Sequence, residues 1–294
     1  MVYTEHVPVL ANEVVEYLGI DPSGIYIDAT AGSGGHASKL LDHLDEKATL
    51  ILLDIDEEAY EYLKEKFRGD SRVAVFNESY VNIKPLCEDL GVIGKVDGIL
   101  FDLGMSTHHV IDGERGFSFM RNGPLDMRFS RKAPVSAYDV VNTYSEDDLA
   151  YIFRTYGEEK KADEIARAIA QRRGISPIKT TGELADIVAS VVGNLRGKHP
   201  ATRVFQALRI HVNGEFNNIE KGIKGALDVL KSGGRIGIIT YHSLEDKLVK
   251  KILSEAKHAG LGRVVKKSGI RPSWQEIQSN RKARSAILRI FEKR

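Results

Sequence analysis

Acidic residues end three apolar segments in the first part of the chain. Ile25-Tyr-Ile-Asp28 ends in Asp28, Thr49-Leu-Ile-Leu-Leu-Asp54 ends in Asp54, and Val96-Asp-Gly-Ile-Leu-Phe-Asp102 ends in Asp102. If these segments are parallel strands, the three carboxylates lie at the edge of the sheet where open α/β sheets bind ligands. Carboxylates at one edge repel one another unless a cation or hydrogen-bond donors lie among them. We therefore expect a ligand with a cationic group or hydrogen-bond donors at this edge.

A glycine-rich turn follows the first of these acids. Gly32-Ser-Gly34-Gly35-His36-Ala37 precedes a helix that we predict from about Ala37 to His43. Glycine lets the backbone turn tightly and approach a ligand, and a helix start offers free N–H groups. The pattern fits the dinucleotide motif G-x-G-x-x-A. However, a carboxylate at Asp28 would repel a pyrophosphate and suits the ammonium group of S-adenosylmethionine. The turn favours S-adenosylmethionine; a nicotinamide dinucleotide, or a turn without a ligand, remains an alternative.

Two further residues are candidates for the nucleoside part of such a ligand. Asp54 lies 20 residues after Gly34, the spacing expected of an acid that binds ribose hydroxyls, although this spacing does not separate the two cofactors. Asp56 is the alternative ribose acid. Tyr80, near the end of the third predicted strand, either flanks the adenine or packs on the next loop.

Asp102-Leu-Gly-Met-Ser106 follows the fourth predicted strand and would face the methyl donor of a methyltransferase. An acid here can accept a hydrogen bond from an exocyclic amine and localise the nitrogen lone pair toward the methyl group. The Pro-Pro-aromatic sequence that often follows such an acid is missing. We predict catalytic positioning by Asp102 and Ser106, and a contact of His109 with cofactor or substrate. The histidines lack a convincing metal spacing, so we expect no metal, and no G-x-S-x-G elbow supports a hydrolase.

The order of predicted elements indicates how these residues are positioned. Strands alternate with helices over residues 1–110, which predicts a doubly wound α/β sheet. Residues 111–210 show irregular sequence followed by helical periodicity, which predicts an inserted all-helical domain for substrate recognition. The α/β pattern returns over residues 211–294, where Gly233-Gly234 is expected to end a helix and the last strands to form a reversed hairpin. We therefore predict a seven-stranded sheet.

Charge is distributed unevenly along the chain. Residues 1–114 contain 22 Asp or Glu and 8 Lys or Arg, whereas residues 247–294 contain 3 and 14, and the total is +1. An acidic cofactor half joined to basic segments suggests a polyanionic partner. Aromatic and basic residues also alternate from Arg115 to Arg131, where Phe117, Phe119 and Phe129 either stack on bases or pack a core. One cysteine, no signal-peptide pattern and no long apolar run predict a cytoplasmic protein without membrane contact.

Motifs from one end of the chain to the other resemble those of a known family. The matching segments are His6-Val-Pro-Val-Leu10, Tyr26–His36, Asp102–Ser106, Glu114–Met120, Gly123–Arg128, Tyr156–Glu159, His199–Arg203, Tyr241–Asp246 and Ala283-Arg-Ser285. Together they are similar to the bacterial ribosomal RNA small-subunit cytidine N4-methyltransferase family (RsmH, also called MraW). Asn280-Arg281 departs from the Asn-Pro that this family often has.

The resemblance implies a class I S-adenosylmethionine-dependent methyltransferase with a Rossmann-like fold. It implies methylation of a cytidine N4 amine near the ribosomal P site, in small-subunit (16S) ribosomal RNA or an assembled small subunit. It also implies cofactor contacts at Gly34, Gly35, His36, Asp54, Tyr80, Asp102 and His109; Asp28 and Gly32 join them on the physical argument above. Oligomeric state is left open, and DNA or protein acceptors remain possible on chemistry alone.

Overall fold

The computed structural model describes residues 7–193, 197 and 199–294. The chain forms two compact units, one from Met1–Gly104 with Phe216–Arg294 and one from Met105–Glu215. In the part that the structure describes, no helix has both the length and the apolar character needed to cross a membrane.

The first unit is built on a seven-stranded sheet in the order β3-β2-β1-β4-β5-β7-β6. Its strands are β1 (Ile25–Asp28), β2 (Thr49–Leu53), β3 (Val73–Phe76), β4 (Val96–Asp102), β5 (Leu230–Thr240), β6 (Gly262–Val264) and β7 (Ile287–Lys293). The strands from β1 to β5 pair in parallel, and β7 runs antiparallel to both β5 and β6. The predicted α/β sheet with a reversed final hairpin is therefore confirmed.

The helices of this unit cover both faces of the sheet. They are α1 (Ala11–Leu18), α2 (Gly35–Leu41), α3 (Glu57–Lys66) and α4 (Ile83–Asp89), then α11 (Glu215–Val229, whose first residue is in the second unit), α12 (Ser243–His258) and α13 (Trp274–Ser279). Alternate residues of β2 belong to different cores, Leu50 and Leu52 to one, Ile51 and Leu53 to the other. Successive side chains of a strand point to opposite faces, so a strand with helices on both sides is apolar throughout. This burial holds the strand ends in place.

The second unit is helical in its described residues. Its helices are α5 (Thr107–Ile111), α6 (Ala137–Thr143), α7 (Glu146–Gly157), α8 (Ala162–Ile175), α9 (Thr181–Val192) and α10 (Thr202–Val212). They enclose their own apolar core, which includes Leu149, Phe153, Ile165, Leu184 and Leu208. Side-chain caps start several of them; Thr180 and Glu183 form a capping box at α9. The predicted helical insert is confirmed.

Several predicted boundaries were wrong because tertiary pairing overrides local pattern. The third strand ends at Phe76, so Tyr80 lies in a short 3₁₀ turn, Tyr80–Asn82, instead of at a strand end. Gly233-Gly234 does not end a helix: α11 stops at Val229, and both glycines lie within β5. Helix α2 starts two residues before the predicted Ala37. These shifts leave the order of elements unchanged.

Candidate functional site

Asp28 and Asp102 occupy the carboxyl ends of neighbouring strands. β1 pairs with β4, with Asp28 opposite Leu100, and also with β2 on its other side. Strand order therefore reverses between β1 and β4, which is the switch point where open α/β sheets bind ligands. The Thr30 hydroxyl accepts a hydrogen bond from the Asp102 backbone N–H at 2.6 Å and so joins the two strand ends.

Asp28 is a buried carboxylate, and one of its oxygens is left without a hydrogen-bond partner in the described residues. Its side chain is 1% exposed, and Oδ1 accepts a hydrogen bond from Thr30 N at 3.2 Å. Oδ2 has no hydrogen-bond partner within the described residues. Burial raises the pKa of Asp28 to about 6 from 3.8. A buried carboxylate oxygen without a partner is costly, so a cationic donor at this point would be bound strongly.

His36, in the first turn of α2, lies beside both acids. It is buried, and its Nε2 lies 3.5 Å from Asp102 Oδ2. Burial by itself lowers the pKa of His36, but the Asp102 and Asp28 carboxylates outweigh that effect and raise it. The predicted cluster of Asp28, His36 and Asp102 is therefore brought together by the fold.

Asp54 holds the glycine turn in place. Its Oδ2 accepts a hydrogen bond from Gly32 N at 2.8 Å, and its Oδ1 accepts one from Asp56 N at 2.9 Å. Burial raises the pKa of Asp54 to about 7. Each carboxylate oxygen keeps a second lone pair that can accept from a ribose hydroxyl. Asp56 is instead the N-cap of α3, where it accepts from Glu58 N, so its side chain serves the helix.

The turn needs glycine at Gly34 for two reasons. Gly34 has φ 71°, in the left-handed region, and an added Cβ would lie 2.8 Å from Phe67 Cε2 and 3.0 Å from Leu63 Cδ2. Gly32 also has a positive φ of 52°, but its position is open. Gly35 is the first residue of α2. The backbone N–H groups at this helix start are thus held close to the sheet edge by packing on α3.

Tyr80 is positioned by α11. Its ring packs edge-on against Phe101 at 5.4 Å between centroids. Gly222 of α11 leaves the space that the ring occupies, since an added Cβ would lie 2.5 Å from Tyr80 Cδ2. The side chain remains partly exposed. A ring fixed on one face and partly open suits contact with a planar base.

Tyr241 is a site residue to which sequence reasoning assigned no role. Its hydroxyl donates a hydrogen bond to Asp102 Oδ1 at 2.8 Å, and its backbone N–H donates to Glu245 Oε2 at 2.9 Å. Burial and the neighbouring Asp102 raise the pKa of Tyr241 well above 10, so the hydroxyl stays a donor. Asp102 keeps 24% of its side chain exposed. The signal was that Tyr241 directly follows β5, the parallel strand next to β4.

Ser106 and His109 belong to the second unit and have local partners. They form the capping box that starts α5: Ser106 Oγ accepts from His109 N, and His109 Nδ1 accepts from Ser106 N, each at 3.3 Å. The buried His109 ring lies 4.8 Å from Phe117 and 5.2 Å from Phe129. Both predicted site residues therefore shape the start of α5.

The aromatic and basic residues between 115 and 131 mostly build structure. Phe117 stacks on Phe129 at 5.4 Å between centroids. Arg115 is buried and donates to Phe129 O at 2.8 Å, and Arg128 forms a bidentate pair with Asp126 at 2.7 and 2.9 Å. Of the two interpretations of this segment, packing is the one supported for these residues.

The donor and acceptor set of the first unit fits S-adenosylmethionine. Asp28 offers a buried acceptor suited to an ammonium group, and Asp54 offers acceptors for hydroxyls. Tyr80 offers a partly exposed aromatic ring for a planar base. A pyrophosphate would instead meet two carboxylates, Asp28 and Asp102, at the same strand ends. The geometry therefore disfavours the dinucleotide.

The chain is similar to named methyltransferases over nearly its full length. The chain is 47% identical over 291 residues to ribosomal RNA small subunit methyltransferase H of Coprothermobacter proteolyticus, covering 99% of this chain and 97% of that protein. The enzyme of the same name from Elusimicrobium minutum is 46% identical over 288 residues, covering 98% of each. Among solved structures, an rRNA methylase from Streptococcus thermophilus is 13% identical with a TM-score of 0.44, and the match covers 96% of this chain and 93% of that one. This similarity is too low to bear on function. The family model described as the MraW methylase family matches residues 3–294, so the chain belongs to that family.

Proposed function

We propose that this protein is an S-adenosylmethionine-dependent methyltransferase that modifies the N4 amine of a cytidine in small-subunit (16S) ribosomal RNA near the P site. Its substrate class follows from relatives named ribosomal RNA small subunit methyltransferase H. The observation that carries the chemistry is the partly exposed Asp102 carboxylate beside the buried Asp28. Ribosomal RNA as substrate also supports a cytoplasmic location.

S-adenosylmethionine, when bound, supplies an electrophilic methyl group. Asp28 Oδ2 would accept from its ammonium group and Asp54 from its ribose hydroxyls, with Gly32, Gly34 and Gly35 letting the backbone approach. Tyr80 would flank the adenine. His36, whose Nε2 lies 3.5 Å from Asp102 Oδ2, would contact the cofactor.

Asp102 would align the nucleophile. A cytosine N4 amine donates hydrogen bonds, and its lone pair is delocalised into the ring. Accepting one of those hydrogen bonds at Asp102 would localise the pair and direct it at the methyl group. Tyr241 holds Oδ1 of the carboxylate at 2.8 Å and so limits its rotation. Alignment of reacting groups contributes up to about 7–11 kcal/mol to catalysis. The proton leaves the nitrogen after attack, so a strong base is not required.

The second unit is proposed to recognise the RNA. Ser106 and His109 would act by holding the segment that follows Asp102. A paired cytosine has its amine inside the duplex, so the target base must be unpaired or flipped out.

Transfer of labelled methyl groups tests the proposal. Purified protein is incubated with labelled S-adenosylmethionine and either naked 16S RNA or small subunits from cells that lack the modification, and the product is mapped by mass spectrometry. We expect N4-methylcytidine at a single position. Binding of NAD without binding of S-adenosylmethionine, or label only in DNA or protein, would contradict it.

A further inference from the structure

Trp274 is the single tryptophan of the chain, and it is exposed. It is the first residue of α13 in the first unit, and 72% of its surface is accessible. No ring contact of Trp274 occurs within the described residues. Aromatic side chains bury large apolar areas when they have partners, so an indole left open on the surface indicates a contact that the isolated chain does not make.

Helix α13 is anchored to the segment that precedes α1. Glu276 Oε1 accepts a hydrogen bond from Leu10 N at 2.7 Å, and Asn280 Nδ2 donates to Val7 O at 3.3 Å. The Glu276 carboxylate also contributes to raising the pKa of His36 and of Tyr241, which both lie at the site. Trp274 therefore lies on an anchored helix, and Glu276 of the same helix is close enough to His36 and Tyr241 to act on them electrostatically.

The segment around Trp274 is basic. Residues 265–286 contain six Lys or Arg and one acid, Glu276, a net charge of +5. Arg271, Arg281 and Arg284 are exposed, and none of them forms an ion pair in the part of the chain that the structure describes. The C-terminal basic residues farther along are used internally; Arg289, for example, pairs with Asp246 at 2.5 and 3.0 Å. Positive charge around Trp274 is thus available to a partner.

We propose that Trp274, Arg271, Arg281 and Arg284 form a docking surface for single-stranded RNA next to the reacting site; this rests on the proposed function. The indole stacks on an unpaired base near the target cytidine, and the guanidinium groups contact the adjoining phosphates. Aromatic stacking with a basic surround is the usual arrangement for unpaired nucleotides. A surface carrying +5 over 22 residues is complementary to a polyanion and repels the basic proteins that accompany ribosomal RNA.

Tryptophan fluorescence tests the surface directly, because Trp274 is the only source of the signal. The wild type is titrated with a single-stranded oligoribonucleotide of about 12 nucleotides that contains the target cytidine and has no fluorescence of its own at this wavelength. We expect quenching on binding. Trp274→Ala, followed by filter binding, should weaken RNA affinity about 5- to 150-fold, the range for loss of one stacked base. Trp274→Phe should recover part of it. Arg281→Gln with Arg284→Gln should reduce the dependence of log affinity on log salt by roughly 1.4, for two single-strand phosphate contacts.

Controls separate this proposal from the proposed function. Leu90→Ala removes another exposed apolar side chain of the first unit, just after α4, and should leave RNA affinity unchanged. In the Trp274 variants, the affinity for S-adenosylmethionine and the melting temperature should stay at wild-type values. In methyl transfer, the KM for RNA should rise by a larger factor than the one by which kcat falls. Unchanged RNA affinity in Trp274→Ala would overturn the docking surface even if the wild type methylates subunits. Without RNA, protection of the indole from a soluble quencher that increases with protein concentration would overturn the proposal in favour of self-association. Protection that does not depend on protein concentration would overturn it as well, because the indole would then be buried by the chain itself.

Discussion

Replacing Asp28 by Asn should separate cofactor binding from fold stability. Asp28 is buried with a pKa of about 6, and its Oδ2 has no partner in the described residues. A carboxyl group whose pKa is raised on folding releases its proton at higher pH in the folded state. The folded protein therefore loses stability relative to the unfolded chain as pH rises from about 4 to 6. A pKa of about 6 in place of 3.8 lowers the free energy of unfolding by about 3 kcal/mol at neutral pH.

The amide of Asp28→Asn avoids the cost of burying a charge but leaves a buried donor unpaired. Asn keeps an oxygen for the Thr30 N–H, while its buried NH₂ lacks an acceptor and costs about 1–3 kcal/mol. Without ligand, Asp28→Asn should therefore be between equal to the wild type and about 2 kcal/mol more stable at pH 7. Any gain should vanish near pH 4. Urea unfolding at the two pH values measures this.

The cofactor should respond in the opposite direction. Loss of a charge-assisted hydrogen bond to the ammonium group costs about 1.5–3 kcal/mol, or roughly 10- to 150-fold in the Kd of S-adenosylmethionine. Methylthioadenosine lacks the amino-acid part, so calorimetry should find its affinity unchanged. Wild-type affinity for S-adenosylmethionine should also fall below about pH 6, where Asp28 gains a proton, and the variant should lose this dependence.

Asp45→Asn is the matched control, because that carboxylate is exposed and accepts from Ser23 and Lys47 N before β2. It should leave both affinities unchanged. Equal S-adenosylmethionine affinity in Asp28→Asn and the wild type, or equal losses for both ligands, would refute the role of Asp28 at the ammonium group.

Three further changes test the surrounding structure. Tyr241→Phe removes the donor to Asp102 Oδ1 and should lower kcat about tenfold, the effect of roughly 1.4 kcal/mol, with cofactor Kd within about twofold; wild-type kcat in single-turnover assays would argue against positioning. Gly222→Ala places a Cβ 2.5 Å from Tyr80 Cδ2 and should weaken methylthioadenosine binding about tenfold by calorimetry, roughly 1.4 kcal/mol, whereas Gly174→Ala, with open space, should not. Gly34→Ala combines a φ of 71° with a clash on Phe67, whereas Gly69 has a φ of 86° and no neighbour within 4 Å. In urea unfolding, Gly34→Ala should therefore destabilise the protein by about 1–3 kcal/mol more than Gly69→Ala; equal losses would mean that backbone strain alone accounts for the effect.

Elements whose signals are local were predicted well. The signals of helix α1 (Ala11–Leu18) and helix α9 (Thr181–Val192) lie in adjacent residues: a helical period in the first, and the capping box of Thr180 with Glu183 at the start of the second. The apolar run from Thr49 and the acids that end β1 and β4 likewise indicate buried parallel strands and their ends. Boundaries failed where pairing with a distant strand decides them, as at Gly233-Gly234, which continue β5.

Local sequence was thus sufficient to place Asp28, Asp54 and Asp102 at one sheet edge and to favour a cofactor with a cationic group. The contacts that give those acids their properties depended on the folded chain. Tyr241 reaches Asp102 across 139 residues, and Glu276 reaches Leu10 across 266. The unpartnered Oδ2 of Asp28 and its raised pKa arise from burial by surrounding elements, as does the space that Gly222 leaves for Tyr80. Strand ends follow from side-chain patterns along the chain, whereas desolvation and hydrogen-bond geometry come from residues that only the strand order brings together.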